Sequence, residues 1–369
     1  MVKRNILLNP GPATTTDTVK QALVVPDICP READFGNLTG RVRDGLLQVV
    51  NGHPTHTAVM LAGSGTAGVE AVLSSVTGPG HKVLVLDNGA YGRRGEQILK
   101  AYAIPHHTHR LAWGDYPDVA ALDDLMARNP DWTHFFFVHH ETTTGMLNPL
   151  DELAALCRKH HLVSIVDAMS SYAGIPINLQ TTPVDYLVSS SNKCVQGMAG
   201  LSFVISRREA LESTSGLPPR NFYLNLYGNH RYWEQTRQFQ FTPPVQVVYG
   251  LEAALNEFFA EGQAARYARY CRNYDVLMAG LESLGLRTLL PPPQHAKLLT
   301  AIVEPSIPGY SFEAMHDFLY AKDITLYPGK GAKQDTFRIA VIGAITPEDM
   351  TLAMKELKAY FNTIGYPSP

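Results

Sequence analysis

An aspartate closes one apolar run, Ser164-Ile165-Val166-Asp167, and a lysine follows the next, in Ser189-Ser190-Ser191-Asn192-Lys193. A lysine amine can hold an aldehyde as a Schiff base, and an anion can keep a ring nitrogen protonated so that the ring draws electrons. Together these are what pyridoxal 5'-phosphate requires of a protein. Taken singly, the aspartate reads as a helix cap and the lysine as a solvated surface group. The pair gains weight because both residues fall at the carboxyl ends of neighbouring strands, the edge where open α/β sheets place their ligands.

A phosphate needs its own cradle. Gly63-Ser64-Gly65-Thr66-Ala67-Gly68 follows the run Ala58-Val59-Met60-Leu61 and opens a helix through Val69, Val72 and Leu73. Free N–H groups and the positive dipole end at a helix start favour a phosphate. The same string matches GxGxxG, and Asp87 ends the following strand 19 residues after Gly68. That spacing also suits a dinucleotide fold, so an NAD-dependent oxidoreductase is a rival reading. Against it stand the Pro-rich segment ahead of the motif and Asn88-Gly89-Ala90-Tyr91-Gly92, whose tyrosine on a Gly-bracketed loop suits stacking on a flat ring.

Strands alternating with helices must position these residues. Near-continuous apolar runs at 82–87, 133–138, 162–167, 184–189 and 201–205 predict strands covered on both faces, in an α/β domain with a mostly parallel central sheet. Leu150, Leu153, Ala154 and Cys157 mark one face of an amphipathic helix between two of them. Leu7-Leu8-Asn9-Pro10-Gly11-Pro12 reads as an extended arm, because its prolines exclude helix. A break at Thr242-Pro243-Pro244 precedes a long helical stretch, and Leu290-Pro291-Pro292-Pro293 leads into a mixed α/β tail. The expected division is an N-terminal arm (1–20), a large cofactor-binding domain (21–247) and a smaller C-terminal α/β domain (248–369).

The 369 residues are 45% hydrophobic and 18% charged with a net charge of -3, which leaves no electrostatic footprint for nucleic acid and points to small-molecule substrates. No apolar run reaches the roughly 20 residues of a membrane span, and the N-terminus lacks the core of a signal peptide. Cys29, Cys157, Cys194 and Cys271 show no ligand spacing and fit a reduced, cytoplasmic setting. Neighbouring histidines on a strand point to opposite faces, so the pairs 106–107, 139–140 and 160–161 predict no metal site.

Several strings together resemble one family: Asn9-Pro10-Gly11-Pro12, Gly63-Ser64-Gly65-Thr66, Asn88-Gly89-Ala90-Tyr91-Gly92, the run His140 to Pro149, Val166-Asp167-Ala168-Met169-Ser170-Ser171, Ser191-Asn192-Lys193-Cys194 and Phe337-Arg338-Ile339. They resemble, in order and over nearly the whole chain, the class V, fold-type I pyridoxal phosphate aminotransferases, and among these the family that moves the amino group of 2-aminoethylphosphonate to pyruvate. The resemblance implies that Lys193 carries the Schiff base and shuttles the proton, and that Asp167 pairs with the ring nitrogen. It implies that Ser64, Gly65 and Thr66 cradle the phosphate, with Asn192 nearby and Thr242 reaching in from the second subunit of a homodimer. Tyr91 and Met169 would cover the two ring faces, Thr142 would lie near the ring hydroxyl, and Arg338 would hold the substrate's acidic group.

Two departures bear on the substrate. Phe239 stands where related aminotransferases can use a tyrosine hydroxyl on the phosphate, and Ile339-Ala340-Val341-Ile342-Gly343 replaces a more polar run after the arginine. Lys330 and Arg31 are candidates for a second cation on a phosphonate. The products expected are phosphonoacetaldehyde and L-alanine. An alanine– or serine–glyoxylate (or pyruvate) aminotransferase keeps the same cofactor and is the nearer alternative.

Overall fold

A computed structural model describes residues 3–329 and 334–366. Its centre is a seven-stranded sheet of β1 (His56–Ala62), β2 (Val83–Asp87), β3 (His106–Arg110), β4 (His134–Val138), β5 (Val163–Asp167), β6 (Tyr186–Ser190) and β7 (Leu201–Arg207), in the order β1-β7-β6-β5-β4-β2-β3. Strands β3, β2, β4, β5 and β6 pair in parallel, while β7 is antiparallel to both β6 and β1. Two reversals bring β1 back parallel to the rest. The carboxyl ends of β1, β2, β4, β5 and β6 therefore share one edge.

Both sheet faces are covered, which explains the unbroken apolar runs. Phe135 and Phe137 pack into one core with Leu86, Val166 and Leu187, while Phe136 packs into the other with Val85, Ile165 and Val188. β3, His-His-Thr-His-Arg, lies at the sheet's end with no position fully buried, so it carries no apolar run to reveal it. The amphipathic helix forms over Leu150–Lys159 with its expected face buried.

A second sheet holds β8 (Leu299–Val303), β9 (Tyr327–Pro328) and β10 (Thr336–Ala340) in the antiparallel order β8-β10-β9. The N-terminal arm runs onto this C-terminal part: Ile6–Leu7 pairs in parallel with Ile324–Thr325, and the Ala340 amide donates to the Leu8 carbonyl at 2.7 Å. The helix Val245–Glu261 spans the position of the expected 247/248 boundary and packs on the helix Ala33–Val49. The next helix, Gln263–Ser283, packs against Pro347–Thr363 beside the second sheet.

Candidate active site

Beyond β6 the chain turns through Ser191-Asn192-Lys193 and re-enters the sheet as β7. The Lys193 amine donates to the Pro10 carbonyl at 2.8 Å, so the arm forms one wall of the site. A Cβ at Gly11, whose φ is +135°, would collide with the Lys193 side chain, which explains a glycine there. Burial lowers the Lys193 pKa, with Tyr91, Cys194 and Asp167 pulling it back up. A neutral amine is the form that can bond to carbon.

On the adjacent strand β5, Asp167 is 5% exposed and its Oδ1 accepts the Met169 amide at 2.9 Å. Burial pushes its pKa up to about 6 against that hydrogen bond and the more distant charges of Arg94 and Lys193. It has no ion pair among the described residues. A buried carboxyl in that condition lacks a cationic partner.

At the end of β1, Ser64 is the N-cap of the helix Gly65–Val76, with extended backbone (φ -71°, ψ 166°) and no side-chain capping bond. The first turn is thereby left to an outside acceptor. A Cβ at Gly65 would strike the Met169 sulfur, so the glycine lets Met169 lie against the helix start. Thr66 Oγ1 accepts from Arg94 at 3.1 Å, and the Arg94 guanidinium sits 4.8 Å from the centre of the Tyr91 ring.

Opposite these, Arg338 on β10 is 1% exposed. Its Nε donates to the Pro328 carbonyl at 3.0 Å and its Nη1 to the Thr142 carbonyl at 3.2 Å, and it also bonds the Tyr91 side chain. Burial lowers its pKa, while Tyr91 and Glu141 pull it back up. No carboxylate among the described residues forms an ion pair with it. Arg338 is thus in direct contact with Tyr91 and Thr142, and Lys193 lies near enough to Tyr91, Asp167 and Arg338 to interact electrostatically.

The remaining candidates are placed as follows. Asn192 lies in the Lys193 turn, where its Oδ1 accepts from Ser190 at 2.8 Å and its carbonyl from Ala13 at 3.0 Å. Thr242 is exposed within one chain. Arg31 is exposed and donates to the Phe239 carbonyl, to the Gln240 carbonyl at 3.3 Å and to Gln238 Oε1 at 3.3 Å, so its donors are engaged by that segment. Phe239 itself is buried against Phe35. Lys330 lies outside the described residues. Asp87, the acid of the dinucleotide rival, is fully buried and paired with Arg93 at 3.3 Å and Arg110 at 3.0 Å, so it serves as an internal ion pair.

Two residues of the site escaped the sequence reading. Glu141 is fully buried, and its carboxylate accepts the amides of Tyr91 (3.1 Å), Gly92 (3.3 Å) and Thr143 (3.1 Å) together with the Thr143 hydroxyl. It holds the start of the helix Ala90–Ala101, and a Cβ at Gly89 would collide with it. His140 is buried with Nδ1 3.0 Å from Ser170 Oγ, while its Nε2 has no partner among the described residues. Burial, the neighbouring His139 and Lys193 push its pKa down to about 3, so the ring is neutral. Both residues lay inside the string His140 to Pro149, where an acid flanked by histidine and threonines was the available signal.

A lysine and an aspartate on neighbouring strand ends, an uncapped helix start and a buried arginine define an aminotransferase of the fold-type I class, and comparison with known proteins agrees. The family model for class V aminotransferases matches residues 21–344, and the chain belongs to that family. Within it, the chain is 40% identical to the 2-aminoethylphosphonate–pyruvate transaminases of Salmonella agona and Salmonella typhimurium over 362 residues, which is 97% of this chain and 98% of each relative. Among solved structures, ureidoglycine–glyoxylate aminotransferase from Bacillus subtilis superposes with a TM-score of 0.92 at 20% identity, covering 100% of this chain and 96% of that one. Alanine–glyoxylate aminotransferase from Nostoc sp. superposes at 0.90 with 26% identity, covering 98% and 96%.

Pyridoxal phosphate, the cofactor of this class, fits the residues present. Among the described residues Asp167 has no ion pair, Ser64 makes no side-chain capping bond at its helix start, and His140 Nε2 has no hydrogen-bond partner. A protonated pyridine ring carrying a phosphate supplies what these groups lack.

Proposed function

We propose that the protein transfers the amino group of 2-aminoethylphosphonate to pyruvate, giving phosphonoacetaldehyde and L-alanine. The observation that carries this reading is Arg338: a guanidinium 1% exposed, without an ion pair among the described residues, whose charge adds to burial in lowering the Lys193 pKa. A donor with an amine at one end and an anion at the other would engage both residues, and the relatives at 40% identity are named for such a donor.

Pyridoxal phosphate, when bound, supplies an aldehyde that accepts the amino group and a ring that accepts electrons from the substrate carbon. Asp167 would stabilise positive charge at the ring nitrogen, the Ser64 to Thr66 turn would hold the phosphate, and Tyr91 and Met169 would enclose the ring and exclude water. Lys193, its pKa lowered by burial, would take a proton from the donor's amine-bearing carbon and deliver it to the carbon that was the cofactor's aldehyde. Arg338 would hold the phosphonate, then the carboxylate of pyruvate, through the guanidinium N–H groups not committed to Pro328 and Thr142.

A homodimer completes this account. Thr242 is exposed next to Phe241, whose ring lies 5.5 Å from that of Phe222 and 4.9 Å from that of Tyr223. Phe222 is 79% exposed in the single chain. Such an aromatic patch suits burial against a second copy, with Thr242 delivered to the partner's phosphate site. A cytoplasmic setting accords with four unpaired cysteines.

The test is alanine formation from 2-aminoethylphosphonate and pyruvate by the cofactor-loaded protein. Lys193→Ala should lower the rate by at least about 10²-fold, the lower bound for a proton-transferring group. Turnover by that variant at the wild-type rate would overturn the assignment of Lys193.

A further inference from the structure

The turn that carries Lys193 and the strand that carries Arg338 are tied together by one face of the helix Gln263–Ser283. Arg266, 1% exposed, donates from Nη1 to the carbonyl of Cys194 at 3.1 Å, the residue directly after the lysine. One turn later Arg269 donates to the carbonyls of Gly343 at 2.7 Å and Ile345 at 3.1 Å, in the segment that leaves the Arg338 strand. Glu261 holds both guanidinium groups, Arg266 Nε at 2.7 Å and Arg269 Nε and Nη2 at 2.7 and 3.0 Å. The Tyr270 hydroxyl accepts from Gln196 at 2.7 Å and from the Gly343 amide at 3.3 Å, touching both segments at once.

The N-terminal arm makes a second tie between the same two segments. Its Pro10 carbonyl accepts from Lys193 Nζ, its Ala13 amide donates to Asn192, and its Thr14 carbonyl accepts the Ala344 amide at 2.8 Å. Two independent links thus converge on the Lys193 turn and on residues 341–345. Enclosing charged groups costs stability unless each is fully paired.

We propose that Glu261, Arg266 and Arg269 are positioning residues that fix the separation between Lys193 and Arg338, and through it the amine-to-anion length of the donor. The inference rests on the roles given above to Lys193 and Arg338. A donor gripped at both ends feels that separation, whereas one gripped only at its amine does not.

The test is single-turnover conversion of the cofactor-loaded protein by 2-aminoethylphosphonate and by ethylamine, the same donor without its phosphonate. In Arg269→Gln, the ratio of the two rate constants should fall about tenfold, an ordinary size for coupled neighbours. Adding Arg269→Gln to Arg338→Gln should leave that ratio where Arg338→Gln alone puts it. Arg269→Lys, which keeps the charge and loses the fork, should fall in between and serves if the glutamine variant does not fold. Equal slowing with both donors, or an undiminished effect in the Arg338→Gln background, would show a structural role only and overturn the proposal. A wild-type protein that 2-aminoethylphosphonate does not convert would fail at the earlier reading and take this one with it. A normal wild type with an unchanged ratio in Arg269→Gln rejects this inference alone.

Discussion

At the scale of single residues, the site is defined by charges that the polypeptide leaves unbalanced. Asp167 has its pKa raised to about 6 by burial, and Arg338 is buried with its pKa lowered. The sign of the pH dependence follows. As pH falls through about 6, the cofactor-free protein protonates Asp167, and binding a protonated ring must then expel that proton. Cofactor affinity should hold above that pH and weaken below it by about tenfold per unit beyond any change in Asp167→Asn. Comparison with the variant cancels titration of the cofactor itself. Fluorescence titrations of both proteins between pH 5 and 8 check this, and parallel curves would refute it. Asp167 and Lys193 were legible because chemistry restricts the residue types and the strand ends restrict their places. Asp87 misled by spacing alone: its partners Arg93 and Arg110 come from a helix and an edge strand that the GxGxxG pattern says nothing about.

At the scale of elements, the carboxyl edge works because helix starts and strand ends meet there. Glu141 is the clearest example, reaching from the turn after β4 to the first amides of Ala90–Ala101. Glu141→Gln presents an amide N–H₂ to donors that now meet a carboxylate. It should destabilise the fold by about 1–3 kcal/mol in urea denaturation and raise the KM for the donor, since the same helix start carries Tyr91. An unchanged midpoint and KM would remove Glu141 from the account. The buried strands were readable from their apolar runs, but β3 was not, since an edge strand of histidines, threonine and arginine carries no such run. The ties of Arg266 and Arg269 were equally hidden, because their partners are backbone carbonyls, which leave no mark in side-chain sequence.

At the scale of the whole molecule, the homodimer proposed above makes the chain half of an assembly with two sites. Phe222→Glu places a charge in the exposed aromatic patch and should convert a dimer to a monomer in sedimentation. Cofactor affinity should fall with it as Thr242 leaves the neighbouring site. A wild-type monomer with full activity would contradict that arrangement. The long-range architecture was legible because the motifs span nearly the entire chain in order, whereas the route of Val245–Glu261 back onto Ala33–Val49 depends on packing between distant segments. The central claim, a pyridoxal phosphate enzyme whose donor is an amine joined to a phosphonate, is tested most directly by one spectrum. The visible absorbance of the cofactor-loaded protein is recorded before and after adding 2-aminoethylphosphonate without a keto acid, with L-serine and taurine as comparison amines. Loss of the visible band with the phosphonate alone is the result predicted, and a band lost only with L-serine would contradict it and assign the protein to α-amino acid donors.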